Sequence, residues 1–238
     1  AARAGPPGSL TVTFLDVGQG DAAVVRTPEG GTLLIDAGPD ENFVATRLVA
    51  MGVRRIDLAV ATHAHADHVE GFPAVFARYP IGVLFEPGCE HESPSYHRLL
   101  QAVRDEEINV HHARGGERYA VGGLIVEILG PDECSHSGPN DDSVVLRLRY
   151  EEATVLFPGD AERPAQQDLL DDRDPVVADV LAYFPETTEE YVRRRHRELQ
   201  TYGARNDEIF ARLGAELRHW PVRSPELSAR QLRRIVYG

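Results

Sequence analysis

The chain has 238 residues, 42% of them hydrophobic and 26% charged, which is the composition of a globular protein with a large buried core. Its formal net charge of −13 excludes a protein that coats nucleic acid by charge attraction alone, although bound cations could supply positive charge at one site. No apolar run approaches the roughly 20 residues that cross a bilayer, and the opening AARAGPPGSL lacks the apolar core of a signal peptide.

Residues 1–9 are expected to be a linker or a processed end, as in a piece of a longer protein. After them, short apolar or alternating runs predict strands, and apolar residues at helical spacing predict helices. The strands of the first half are Leu10–Val17, Asp21–Thr27, Thr32–Asp36, Ile56–Ala61 and Ile81–Phe85. The helices of this half are Asn42–Met51, Phe72–Tyr79 and Ser95–Glu107.

In the second half the same patterns predict the strands Asn109–His112, Leu124–Leu129, Val144–Tyr150, Thr154–Pro158 and Val176–Phe184. A helix is expected from Asp160 to about Asp171, and the tail from Glu186 reads as mostly helical, with one strand near Leu217–Val222. Strands in runs, with helices between and after them, favour two mixed β-sheets with helices on the outer faces, an αββα sandwich of the α/β class. No internal repeat divides the chain, so we expect one domain over 10–238, with 184–238 as a helix-rich tail.

The two cysteines, Cys89 and Cys134, match no zinc motif and are too few for a disulfide framework. Two free or partly buried thiols are the ordinary expectation for such a pair. Cysteine usage therefore does not indicate a cellular compartment.

A loop rich in histidine follows the predicted strand Ile56–Ala61. Three imidazoles and a carboxylate fall within six residues, as His63, His65, Asp67 and His68. Imidazole and carboxylate ligands suit zinc, iron and manganese, whereas calcium and magnesium prefer shells of oxygen alone. In extended backbone His63 and His65 project to the same side, and the alanines between them leave room for a cation. The loop therefore predicts a site for a transition metal.

The order H-x-H-x-D-H after a strand resembles the defining motif of the metallo-β-lactamase superfamily. The segments LLIDAG, ending at Gly38, and LFPGD, ending at Asp160, resemble two further motifs of that family. The segment FLDVGQGDA, which begins at Phe14, and the segment NDDSVV, which begins at Asn140, resemble the lactamase-like domain of ComEC-type competence DNA-uptake proteins. This likeness covers roughly 10–181.

The resemblance implies one or two divalent transition-metal ions, with zinc or manganese favoured. His63 and His65 would hold the first ion, Asp67 and His68 the second, and Asp160 would bridge them. Asp67 could orient or deprotonate the water that attacks the substrate. Further residues are expected in a supporting layer or in the substrate pocket: Asp36, Asp16, Gln19, Asp21, Asn140, Asp142 and Ser143.

The sequence departs from the family pattern after the predicted strand 176–184, where the family has a last metal-binding histidine. Pro185 and Glu186 stand there instead, so either Glu186 fills the gap or the site holds one metal or is impaired. His136 is a candidate substitute ligand, although loop histidines are common. Arg193, Arg194 and Arg195 could contact nucleic-acid phosphates, with a solvated helix face as the alternative.

By resemblance, the chain is expected to be a metal-dependent hydrolase that cleaves phosphodiesters in DNA, as part of a competence system. The parent protein would then include a membrane channel domain, with this part extracytoplasmic or attached to the membrane. Two alternatives remain open. One is hydrolysis of a small ester, thioester or lactam, and the other is a non-catalytic binding module with an incomplete metal site.

Overall fold

The computed structural model describes residues 6–134, 138–162, 165, 188–201, 205–217 and 236. The chain divides into two compact units, Ala1–Val177 and Ala178–Gly238. A single domain over 10–238 therefore stays a prediction. Within the part of the chain that the structure describes, no helix is both long and apolar enough to cross a membrane.

The first sheet has six strands in the order of the sequence. These strands are β1 (Thr11–Phe14), β2 (Ala23–Arg26), β3 (Thr32–Ile35), β4 (Ile56–Val60), β5 (Ile81–Glu86) and β6 (Val110–His112). The first three are antiparallel, and β3, β4, β5 and β6 are parallel. Because β1 runs in the same direction as β3, all strands except β2 end at the same edge of the sheet.

Four helices cover one face of this sheet, namely α1 (Phe43–Ala50), α2 (Ala66–Val69), α3 (Phe72–Phe76) and α4 (Pro94–Asp105). Their buried side chains, such as Leu48, Phe72 and Leu99, pack on the apolar side chains of the parallel strands. The first turn of α4 is closed by Ser93, whose hydroxyl accepts a hydrogen bond from the backbone N–H of Tyr96 at 3.4 Å. This layer holds the ends of the parallel strands in fixed positions.

The second sheet faces the other side of the first. It contains β7 (Arg118–Val121), β8 (Leu124–Gly130), β9 (Val145–Tyr150) and β10 (Ala153–Phe157), paired in the order β10-β9-β8-β7. A second core lies between the sheets, where Val25, Leu33 and Phe85 meet Val126 and Leu146. The predicted fold class is confirmed as an α/β arrangement of two packed sheets with helices. The first sheet is mixed as expected, whereas the described strands of the second are all antiparallel.

Most predicted elements appear within a few residues of their expected bounds, and one strand was not predicted. This strand is β7, whose short sequence RYAV has no strong alternation and whose side chains are at most half-buried. The helix predicted to Tyr79 already ends at Phe76. The strand near Leu217–Val222 is contradicted at its first residue, because Leu217 ends a helix. Nearly all of the predicted helix 160–171, the predicted strand 176–184 and residues 218–222 lie outside the described residues.

The expectation of free thiols is wrong, because Cys89 and Cys134 form a disulfide with 5.6 Å between their Cα atoms. Cys89 follows β5 and Cys134 follows β8. Both strands end at the same edge of the sandwich, so two cysteines 45 residues apart in sequence meet there. Spacing alone does not reveal this, since the contact depends on how the two sheets stack.

The second unit contains two described helices, α5 (Thr188–Thr201) and α6 (Asn206–Leu217). Buried side chains line both helices, among them Val192 and Leu199 in α5 and Leu213 in α6. The ring of His196 lies 5.3 Å from the ring of Phe210. This pair therefore packs α5 on α6.

Candidate metal centre

Three side chains meet at the edge where the parallel strands end. The Nε2 atom of His63, the Nε2 atom of His68 and a carboxylate oxygen of Asp160 all belong to one group whose ligand atoms lie within 4.8 Å of one another. Asp160 Oδ2 lies 3.9 Å from His63 Nε2 and 3.5 Å from His68 Nε2. Both imidazoles are buried, while the Asp160 side chain is 39% exposed. The group is thus open to solvent on the Asp160 side.

The backbone brings this group together from both sheets. The chain leaves β4 at Val60 and reaches His63 three residues later, and it leaves β10 at Phe157 and reaches Asp160 three residues later. The backbone N–H of Val144 donates to the carbonyl of Thr62 at 2.8 Å and so ties the start of β9 to the histidine loop.

Gly159 lets the Asp160 segment approach closely. The residue has φ of +56°, and a Cβ there would lie 3.0 Å from a side-chain atom of Ser143 and 3.2 Å from one of Thr62. The Ser143 hydroxyl also accepts a hydrogen bond from the N–H of Asp160 at 3.2 Å. Ser143, expected in a supporting layer, therefore positions Asp160.

Asp36 supports the group from beneath. Asp36 is buried, and its backbone lies in the left-handed region with φ of +56°. Its carboxylate accepts hydrogen bonds from the backbone N–H of Thr62 at 2.8 Å and from the Thr62 hydroxyl at 2.7 Å. The same carboxylate lies 2.8 Å from Nδ1 of His68. Because the Nδ1–H of His68 is directed at Asp36, its Nε2 is left to face Asp160, as metal-binding imidazoles require.

Thr62 is a site residue that sequence reasoning missed. Its hydroxyl donates a hydrogen bond to Asp36 and lies 3.1 Å from Nδ1 of His63, so its oxygen can accept a hydrogen bond from the Nδ1–H of that imidazole. This contact favours the His63 tautomer with a lone pair on Nε2. A hydroxyl residue between the strand and the first histidine was the available signal.

His65 and Asp67 lie beside the group of His63, His68 and Asp160 but do not belong to it. Nδ1 of His65 is 3.1 Å from Nε2 of His63, which places the His65 ring at the same centre. The carboxylate of Asp67, in α2, accepts a hydrogen bond from Nε2 of Gln19 at 3.4 Å. The structure therefore brings the three predicted imidazoles together and directs Asp67 toward the loop after β1.

That loop, 15–21, is docked on α2. The N–H of Asp21 donates to the carbonyl of Asp67 at 3.3 Å, and a Cβ at Gly20 would lie only 1.9 Å from that carbonyl oxygen. Gln19 and Asp16 are exposed. Glycine at position 20 is thus required for the contact between this loop and the histidine loop.

The two buried imidazoles differ in proton affinity. Burial lowers the pKa of His63 to about 4, with the charge of His68 adding to the effect, so His63 is neutral at pH 7. Burial alone would also lower the pKa of His68, but Asp36 and Asp160 outweigh it and raise the pKa to about 11. Without a metal, His68 therefore holds the proton of the group.

The pKa values of Asp160 and Asp21 shift in opposite directions. Burial would raise the pKa of Asp160, but its contact with protonated His68 holds that pKa below the ordinary value. The pKa of Asp21 is raised, chiefly because protein atoms surround the carboxylate although the residue keeps a solvent-exposed surface, with Asp36 and Asp160 adding their repulsion. A cation at the centre would offset this crowding of negative charge.

The segment after residue 138 carries Asn140 and Asp142, two further residues that were expected near the site. Asn140 donates to Glu162 at 2.9 Å. Asp142 is fully buried, with its carboxylate 3.2 Å from Nε2 of His91. No sequence motif predicted this contact. His136 lies outside the described residues and stays a candidate.

The predicted residues of the tail are only partly described. Glu186 lies outside the described residues. Arg193 is exposed and Arg195 half-buried in α5, and the side chain of Arg194 is not described. His196 is buried against Phe210, so it packs α5 on α6 and does not lie on a solvated helix face. No described contact tests the three arginines, and their role as phosphate contacts stays a prediction.

The donor set fits a divalent transition-metal ion. Two imidazole nitrogens and one carboxylate oxygen, with a third imidazole adjacent, are ligands of the borderline-soft kind that zinc, manganese and iron accept. Both converging imidazoles have their other nitrogen occupied by a neighbouring oxygen, from Thr62 for His63 and from Asp36 for His68.

Comparison with known proteins indicates the family of the chain. The sequence profile of the metallo-β-lactamase superfamily matches residues 15–235. ComE operon protein 3 of Bacillus subtilis (strain 168) is 25% identical over 189 residues, which make up 71% of this chain and 24% of that protein. Competence protein ComA of Neisseria gonorrhoeae is 30% identical over 168 residues, which make up 69% of this chain and 22% of that protein.

The chain therefore spans about a quarter of the length of these two relatives. Among solved structures, the diiron β-hydroxylase CmlA of Streptomyces venezuelae aligns with a TM-score of 0.44 at 23% identity, over 65% of this chain and 30% of that one. Since the family profile extends over nearly the whole sequence, this chain belongs to the metallo-β-lactamase superfamily.

Proposed function

We propose that the chain is a metal-dependent phosphodiesterase that cleaves DNA as part of a competence system for DNA uptake. The observation that carries the proposal is the convergence of His63, His68 and Asp160 at the solvent-exposed edge of the sandwich. Superfamily membership supports hydrolysis in general, and the two competence relatives favour DNA as the substrate.

We assign His63 and His65 to one metal ion and His68 and Asp67 to a second, with Asp160 between them. One oxygen of Asp160 lies within 4 Å of an imidazole from each set, which supports a bridging role. A divalent ion at such a site supplies a Lewis acid and lowers the pKa of a water molecule toward 7. We assign to Asp67 the role of accepting the proton of the attacking water. Asp36, Thr62 and Ser143 position the ligands.

A phosphodiester suits the site, because two cations held by these residues would supply stabilisation of both the attacking and the leaving oxygen. The exposed carboxylate of Asp160 leaves the centre open on one side, as a long polymeric substrate requires. We further propose that Arg193, Arg194 and Arg195 contact phosphates of the bound strand. Replacing Arg193 by Gln should then weaken DNA binding and reduce the slope of log K against log salt by about 0.7 to 0.9.

The metal content of His63→Ala tests the centre, and His97→Ala is the matched control because His97 is exposed on α4. The parent chain and the control should each bind at least one equivalent of zinc or manganese, and His63→Ala should lose it. Unchanged metal content in His63→Ala would refute the assignment of ligands.

Three substrates then separate the functions on the metal-loaded parent chain. Cleavage of an oligodeoxynucleotide, abolished in Asp160→Asn, supports the proposal. Turnover of a chromogenic lactam or a thioester without cleavage of DNA would point instead to a small-molecule hydrolase. If the chain binds no stoichiometric metal and turns over none of these substrates, the result would favour a non-catalytic binding module.

A further inference from the structure

Phe14 is the most exposed of the large apolar side chains in the described part of the chain, at 69%. It is the last residue of β1, an edge strand of the first sheet. Single exposed apolar residues are common and carry no meaning by themselves. The position of Phe14 relative to the metal-ligand group is what distinguishes it.

Two independent contacts place Phe14 beside that group. Its ring lies 5.8 Å from the ring of Phe157 at an interplanar angle of 32°. Phe157 ends β10, and Asp160 follows three residues later, a stretch of chain that spans at most roughly 10 Å. One nucleic-acid strand can therefore contact the ring of Phe14 and also reach Asp160.

The second contact runs through the loop that begins directly after Phe14. Gln19 of this loop donates to the carboxylate of Asp67, and Gly20 lies against the backbone of the same residue. Leu15, the neighbour of Phe14, is buried and its N–H donates to the carbonyl of Ala22 at 2.9 Å. The backbone that carries the exposed ring is thus fixed on both sides, so the ring is held at the rim of the site.

Charge explains why an aromatic ring suits this position. The chain carries a net charge of −13, and the carboxylates of Asp21 and Asp160 lie close enough at the site to repel each other. Attraction of phosphates by the protein surface is therefore weak there. Stacking of a base on an aromatic side chain does not depend on charge, and it tolerates every base because each has a π-face.

We propose that Phe14 is a stacking platform for one unpaired nucleobase of a single-stranded substrate, next to the phosphodiester held at the metal centre. This inference rests on the proposed function and narrows its substrate to strands with unpaired bases. Phe157 supports the ring from the core, and the exposed surface of Phe14 receives the base.

Binding of two labelled probes tests the platform in the full-length chain. One is a 12-nucleotide oligo-dT, and the other is an abasic strand with the same length and the same phosphates. Phosphorothioate linkages in both probes slow their hydrolysis, so binding is measured on the metal-loaded chain whether or not it is a nuclease. The variants are Phe14→Leu, which keeps an apolar side chain of similar size, and Phe14→Trp, which keeps an aromatic face. Ile125→Ala is the matched control, since Ile125 is 45% exposed on the second sheet.

The parent chain should bind oligo-dT more tightly than the abasic strand. Phe14→Leu should bind oligo-dT about 5- to 140-fold more weakly, the range that one base–aromatic stack contributes, while its abasic affinity stays unchanged. Phe14→Trp and Ile125→Ala should retain the parent preference.

Three results would overturn the platform: equal affinity of the parent chain for both probes, an equal loss on both probes in Phe14→Leu, or no preference for oligo-dT in Phe14→Trp. Failure to bind oligo-dT at all would also overturn it. A chain that stacks bases but cleaves no DNA would keep this inference and lose the nuclease, so the two failures are distinguishable.

Discussion

Removal of the disulfide tests how firmly the edge that carries the site is held. The disulfide between Cys89 and Cys134 closes a loop of 46 residues, with both cysteines included. A covalent link across a loop of that size reduces the entropy of the unfolded chain by an amount equivalent to about 4 kcal/mol at 25 °C. Cys89 is also buried, so Ala at this position loses some packing.

The double variant Cys89→Ala/Cys134→Ala should therefore unfold about 4 kcal/mol more easily than the parent chain. For a folded unit of this size the loss corresponds to a fall in Tm of roughly 8–16 °C. Urea unfolding followed by circular dichroism measures the free energy, and a thermal scan measures the shift in Tm. A reducing agent provides an internal control, because it should destabilise the parent chain by a similar amount and leave the double variant unchanged.

A parent chain that reacts with two equivalents of a thiol reagent under native conditions would contradict the disulfide itself. If the link is present but its removal changes the free energy of unfolding by less than 1 kcal/mol, then the loop argument is wrong for this protein. In that case the stacking of the two sheets alone would position the loops after β5 and β8.

Four further predictions concern the metal centre. The pKa of His68 is about 11 and that of His63 about 4, so metal binding near pH 7.5 should release about one proton per chain. For the same reason log Kd should fall by about one for each unit of rising pH between 6 and 9. Calorimetry in buffers of different ionisation enthalpy measures the release, and finding none would contradict this prediction. In the metal-free chain, the pairing of protonated His68 stabilises the fold fully below pH 6.5 and is lost as the pH rises through about 11, which pH-dependent urea unfolding can measure. Gly20→Ala should weaken metal binding and lower Tm, because the added Cβ would collide with the backbone of Asp67. The control Gly30→Ala has φ of +92° but no neighbour within 4 Å of the added Cβ, so it should lower the free energy of unfolding by only about 1–2 kcal/mol. Equal effects of the two variants would refute the close contact at Gly20. Thr62→Val should lower the free energy of unfolding by about 1–3 kcal/mol and weaken metal binding, because the carboxylate of Asp36 and the imidazole of His63 each lose a hydrogen-bond partner. An unchanged urea midpoint would show that Thr62 does not support the group.

Much of the fold was predictable because each strand carries a local pattern. The buried run Ile56–Val60 and the paired strands β9 and β10 appear where expected, since periodicity and turn residues act over a few positions. The strand β7 was missed because its side chains are half-exposed and its packing depends on pairing with β8. Stacking between sheets is a long-range property, and the disulfide was missed for the same reason.

The site divides in a similar way. The three imidazoles of the histidine loop were predictable, because residues two and five apart in one loop stay close in any compact conformation. That Asp160 joins them was expected only by resemblance, and the structure brings it within 4 Å of His63 and His68. Thr62 and the contact of His91 with Asp142 were missed, since neither residue type signals a site without its three-dimensional neighbours.

The backbone hydrogen bond from the N–H of Val144 to the carbonyl of Thr62 has a consequence for how the protein reaches its folded state. His63 and Asp160 are separated by 160 − 63 = 97 positions, so they meet only after both sheets have formed and stacked. An ion that needs both groups binds the completed fold and not earlier states, and at a hundred times its Kd it would stabilise that fold by about 2.7 kcal/mol. The supply of metal would then govern how much of the chain survives proteolysis.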